Sequence, residues 1–87
     1  MSPSTNDPQA LGLAALAATL AEERRARRFL DLTGIDVETL RARAGEPGLL
    51  AALLRFLESH EPDLVAVAEA IGAKPEALVA ARRALEA

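Results

Sequence analysis

The chain has 87 residues, no cysteine, one histidine and a formal net charge of −3. A length of this order holds one small domain that buries roughly 60 to 65% of its extended-chain surface; the missing thiols exclude disulfides and thiolate metal sites, and the acidic balance gives no global attraction to nucleic acid or anionic lipid. Absence of cysteine also fits a reducing compartment, and the cytoplasm is the expected location. Apolar residues make up 51% of the chain, yet Phe29 and Phe56 are its only aromatic rings apart from His60. No stretch alternates apolar and polar as a strand does, so the chain reads as all-α, a compact bundle of five or six short helices.

Residues 1–7 read as a disordered tail and 8–87 as a single helical domain. Met1 to Asn6 is small and polar and offers nothing to bury. Asp7 is a good N-cap acceptor and Pro8 suits the first helical position, which predicts a helix over Pro8 to Ala21. That helix is apolar almost all round. Leu13, Leu16 and Leu20 form one stripe, Leu11, Ala15 and Ala18 another, and Thr19 interrupts. Its apolar run of about a dozen residues falls short of the ~20 that span a bilayer. The segment before it carries no basic head, so no export signal is read. A helix of this kind either runs through the core or pairs with another chain, which makes Leu11, Leu13, Leu16 and Leu20 the candidate interface residues.

Glu22 to Arg28, EERRARR, places Glu23 and Arg27 at i, i+4 and Glu22 and Arg25 at i, i+3, spacings that support a charged helical face. Phe29, Leu30 and Leu32 are then expected to return to the core, and Gly34 to end the second helix. Asp36 is placed to cap a third over Val37 to Ala44, with Leu40 inward and Gly45 closing it. Pro47 opens a fourth helix whose Leu49, Leu50, Leu53, Leu54, Phe56 and Leu57 are the expected centre of the core. Pro62 and Asp63 begin a fifth. Leu64, Val67, Ala68 and Ile71 give it one apolar stripe, Gly72 stops it, and Pro75 begins a sixth with Leu78, Ala81 and Leu85 inward.

A shift of 38 residues sets Leu11 on Leu49, Leu16 on Leu54, Gly34 on Gly72, Glu38 on Glu76 and Leu40 on Leu78. In a chain rich in Ala and Leu these matches are either composition or duplication; duplication predicts two related three-helix units.

Leu64 to Leu85 also has the spacing of a helix-turn-helix, which occurs in DNA readers and in plain bundles alike. A DNA reader needs polar groups projecting from its second helix and cations for phosphate. Lys74, Arg82 and Arg83 are the candidates, while Glu76 would repel the backbone, so bundle packing is the favoured reading and DNA binding the alternative. Arg24, Arg25, Arg27, Arg28, Arg41 and Arg43 hold six of the ten basic residues, but the acidic residues among them leave that segment nearly neutral and no aromatic face offers stacking. It reads as a salt-bridged surface, with docking of an acidic partner or phosphate as the lesser reading. His60 stands alone among Glu58, Glu61 and Asp63 in no metal-ligand spacing, at the end of the fourth helix where the dipole favours it. Ser59 is its neighbour in sequence, which is not the geometry of a nucleophile and base, and no glycine-rich phosphate loop is present. The chain is therefore read as non-enzymatic, with no metal and no cofactor. Its expected partners are a second copy or another protein, and neither nucleic acid nor membrane.

The order RFLDLTGIDVETLRARAGEP followed by LLAALLRFLESHEPDLVAVAEAIGAKPEALVAARRAL resembles a family of small uncharacterised proteins, a domain of unknown function found mainly in alphaproteobacteria. Leu30, Thr33, Gly34, Ile35, Asp36, Leu40, Phe56, Leu57, Gly72, Pro75 and Glu76 carry the resemblance, which covers nearly all of the chain after the tail. It implies a compact helical protein and brings no assigned activity or functional residue.

Overall fold

Helix starts follow the caps and prolines of the sequence. The computed structural model describes residues 7–87, as α1 (Pro8–Ala21), α2 (Glu23–Thr33), α3 (Val37–Ala42), α4 (Pro47–Glu58), α5 (Glu61–Ala70) and α6 (Pro75–Glu86). The expected tail over Met1 to Asn6 lies outside the described residues. Among the described residues there is no strand, and the bundle is all-α. No helix there is long and apolar enough to cross a membrane. The backbone N–H of Gln9 donates to the Asp7 carboxylate (3.0 Å) and that of Thr39 to Asp36 (2.7 Å). Both satisfy amides that a helix start leaves unpaired. A proline holds the first position of α1, α4 and α6 and the second position of α5.

α1, α4 and α6 pack against one another and enclose the core. α4 is its axis: Leu50, Leu53, Leu54 and Leu57 are fully buried, with Leu49, Ala51 and Phe56 nearly so. α1 approaches closely at Gly12, where a Cβ would stand 3.1 Å from Leu50 Cβ. α6 adds Leu78 and Ala81, α5 adds Leu64, Val67 and Ala68, and α2 adds Phe29. The α5–α6 pair is thus not a self-contained motif, because α6 packs chiefly on α4 and α1.

The 38-residue spacing is present in the backbone. α2 and α5 begin at Glu23 and Glu61, α3 and α6 at Val37 and Pro75, and the glycines between them, Gly34 and Gly72, share a φ of 72°. Two pairs of positions 38 residues apart touch each other: Gly12 lies against Leu50, and Arg25 bridges to Asp63 at 3.6 Å. The units differ in their third helix, which has 6 residues in α3 and 12 in α6.

Four details depart from the sequence reading. α3 ends at Ala42, because residues 43–45 turn toward α4, with the Glu46 N–H donating to the Arg43 carbonyl (2.9 Å). α5 begins one residue early, so that His60 is its N-cap and Pro62 lies within its first turn. Leu32 does not return to the core: it is 71% exposed, since it lies on the Arg28 edge of α2, one turn on, away from Phe29. Thr19 is no interruption, being fully buried with its hydroxyl donating to the Ala15 carbonyl (2.8 Å). That bond satisfies the group within its own helix.

Candidate functional site

α1 carries no charged side chain from Pro8 to Ala21, and its circumference divides into two arcs. Leu11, Gly12, Ala15, Leu16 and Thr19 face the core. Leu13, Ala17 and Leu20 face solvent, the two leucines at 40% and 38% exposure. Of the four leucines singled out in the sequence, two are core and two are surface, because 3.6 residues per turn put positions 13, 17 and 20 on the arc opposite 11, 15 and 19.

Beside Leu20 the outer arc opens into a groove of ≈ 370 Å³ between α1, α2 and α3. Leu16 and Leu20 form one wall and Ala26 and Leu30 another; Val37, Leu40 and Ala44 close it, with Arg41 as its one charged lining residue. Val37 is 53% exposed. The sequence reading singled out none of the α2 and α3 residues for this role. An apolar residue directly after the Asp36 cap, where the first turn of a helix ordinarily turns to water, was the available signal.

The second unit contains the same positions in a closed form. Leu16, Ala26, Leu30 and Leu40 correspond to Leu54, Leu64, Ala68 and Leu78, all buried. Leu20 and Ala44 correspond to Glu58 and Arg82, whose side chains join at 2.6 Å over that interior. Where the second unit carries a largely covered ion pair, the first carries a leucine and an alanine. The groove exists because α3 is short and held chiefly by Leu40, and is not packed closely along α1 as α6 is along α4.

Most of the arginine segment is spent on structure. Arg25 and Arg28 of α2 converge on Asp63 of α5. The Arg28 guanidinium also lies 5.6 Å from the centre of the Phe56 ring, which meets Phe29 edge-on at 5.3 Å. Such a cation over an aromatic face is stabilised by the ring quadrupole. Arg27 pairs with Glu23 at 3.4 Å and Arg43 with Glu46 at 2.9 Å. Arg24 and Arg41 have no ion pair among the described residues. The segment is thus mainly the salt-bridged face expected of it.

The three candidate nucleic-acid contacts do not form a cluster. Lys74 is the exposed N-cap of α6, and Arg82 and Arg83 lie eight and nine residues on, about 12 Å along the helix. Arg82 is bound by Glu58 and by Glu86 at 2.9 Å, and the hydrogen bonds it donates to the Glu58 carboxylate raise its pKa above the ordinary arginine value. The Glu86 carboxyl is held below its ordinary 4.5, first by Arg55 and then by Arg82. Of these three, Lys74 and Arg83 have no ion pair among the described residues. Ser59 donates its hydroxyl to the Phe56 carbonyl (2.7 Å) rather than to His60, which is exposed. No three of His, Cys, Asp and Glu converge as a metal site does among the described residues.

No curated protein and no solved structure matches this sequence. A family model does, over residues 5–87, a span that includes both three-helix units and every position of the groove. The chain belongs to the family described as Protein of unknown function (DUF3572).

Proposed function

We propose that this protein is a non-catalytic interaction module that binds another protein chain through the apolar surface formed by the outer arc of α1 and the groove beside it. One observation carries this reading: Leu20 is exposed at the place where the equivalent position, Glu58, closes over the interior in an ion pair with Arg82, and Val37 is exposed across the groove from it. Exposed apolar side chains gathered along a groove mark a contact surface. Burying a leucine of this kind contributes about 1.5 to 3 kcal/mol at full burial, and less where it is already more than half covered. The direct test installs a photo-activatable benzophenone side chain at Leu20 of the full chain in its native cell, and separately at exposed Glu76 on α6. A discrete covalent adduct is expected at position 20 and not at position 76, and Leu13→Glu in the same chain should abolish it. Equal labelling at both positions, or none at position 20, refutes the reading.

A further inference from the structure

We infer that the occupant of this surface is a second copy of the chain, its α1 laid antiparallel along the first. The inference rests on the interaction reading above and goes further by naming the partner.

Three features of α1 select a self-partner. Pro8 to Ala21 contains no charged residue, whereas every other helix among the described residues contains at least two. A foreign partner therefore finds no charge on α1 to recognise, and a two-fold pairing meets no like-charge repulsion on its axis. Second, the spacing is self-complementary. Leu13 and Leu20 are seven residues apart, about 10 Å along the helix, with the small Ala17 between them. Turning the helix end for end about a two-fold axis near Ala17 sets Leu13 of each copy opposite Leu20 of the other, as an isologous interface requires. Alanine at the centre allows the axes to approach to about 8 Å, the close end of helix packing. Third, the arc is continuous with the groove, so the incoming Leu13 meets Leu20 at the groove's edge, with Val37 and Leu30 on its far walls.

Size sets the strength. α1 is 14 residues long, about 21 Å by 10 Å in outline. That is less than the ~800 Å² each partner gives to a standard interface. The groove walls must contribute, and the pairing is a reversible one that dissociates with dilution.

Sedimentation or light scattering of the full chain over a concentration series decides it. Wild type should pass from monomer to dimer. Leu13→Glu and Leu20→Arg should each weaken association by about tenfold or more, with helical circular dichroism unchanged because both sites are at the surface. Leu32→Glu on α2 should leave it unaltered. In antiparallel pairing the double variant Leu13→Glu/Leu20→Arg places each introduced carboxylate against an introduced guanidinium, so it should recover most of the loss seen with Leu13→Glu. A wild type that stays monomeric at every concentration overturns the inference even if a variant fails to fold. So does a dimer indifferent to both single substitutions, or a double variant no better than the weaker single. A monomer that still forms the position 20 adduct with a different protein overturns self-pairing while the interaction reading stands; a monomer with no adduct removes both.

Discussion

Two helical glycines should respond to the same substitution with opposite signs. Gly12 sits in α1 where a Cβ would come within 3.1 Å of Leu50 Cβ, 3.2 Å of its Cδ1 and 3.4 Å of its Cγ, whereas a Cβ on Gly48 in α4 meets nothing within 4 Å. Alanine in place of a helical glycine gains about 0.5 to 1 kcal/mol by restricting the unfolded chain. At Gly48, in the first turn, the lower part of that range applies and nothing opposes it. At Gly12 the nearest atom is the Cβ of a fully buried residue, which no rotamer change can move. α1 and α4 must then separate by a few tenths of an ångström along the centre of the core, and overpacking of this kind costs about 1 to 3 kcal/mol. The net expectation is a loss of about 1 kcal/mol for Gly12→Ala and a gain of about 0.5 kcal/mol for Gly48→Ala. In a domain of this size, 1 kcal/mol is about 4 to 8 °C in melting temperature. Urea denaturation followed by helical circular dichroism, with a common m-value, reads both. Gly12→Ala proving as stable as Gly48→Ala would refute the close approach of α1 to α4.

The left-handed glycines give a second test: Gly34→Ala and Gly72→Ala should each lower stability by about 1 kcal/mol in the same denaturation assay, since φ is 72° at both and an L residue is strained there. A third concerns pH. The Glu86 carboxyl is held low first by Arg55, and Asp36 first by the Thr39 backbone N–H, below their ordinary values of 4.5 and 3.8. Below those values the unfolded chain takes up protons that the folded chain resists. Their contribution is therefore complete above about pH 4.5 and is lost as pH falls through the lowered values. The urea midpoint should drop as pH falls below about 4.5, and Glu86→Gln should flatten part of that slope.

The parts of this fold that were legible in the sequence are those decided within a few residues. Asp7 and Pro8 place the start of α1, Gly34 and Gly72 place two helix ends, and the leucines of α4 mark the core axis. What could not be read depends on partners far along the chain. Leu32 carries the same apolar signal as Phe29 and faces water, because α2 turns Phe29 toward Phe56. Arg82 is a candidate phosphate contact only under the alternative reading, and the partner that binds it, Glu58, lies 24 residues earlier where no local spacing marks it. The groove is less legible still, because it is the space left by a short α3 beside α1, and no local pattern records how far apart two helices stand. α1 shows the boundary well: its apolar character was plain, while the division of its leucines between core and surface needed the positions of α4 and α6.

The packing of α6 on both α1 and α4 also has a consequence for biosynthesis. α1 and α4 are made before α6, and the faces they bury together stay uncovered until it arrives. Contacts that join the first and last helices of a bundle close its longest loop and form late. The fold is therefore completed only after α6 has left the ribosome, and a nascent chain halted before Pro75 presents the apolar sides of α1 and α4 to chaperones and proteases.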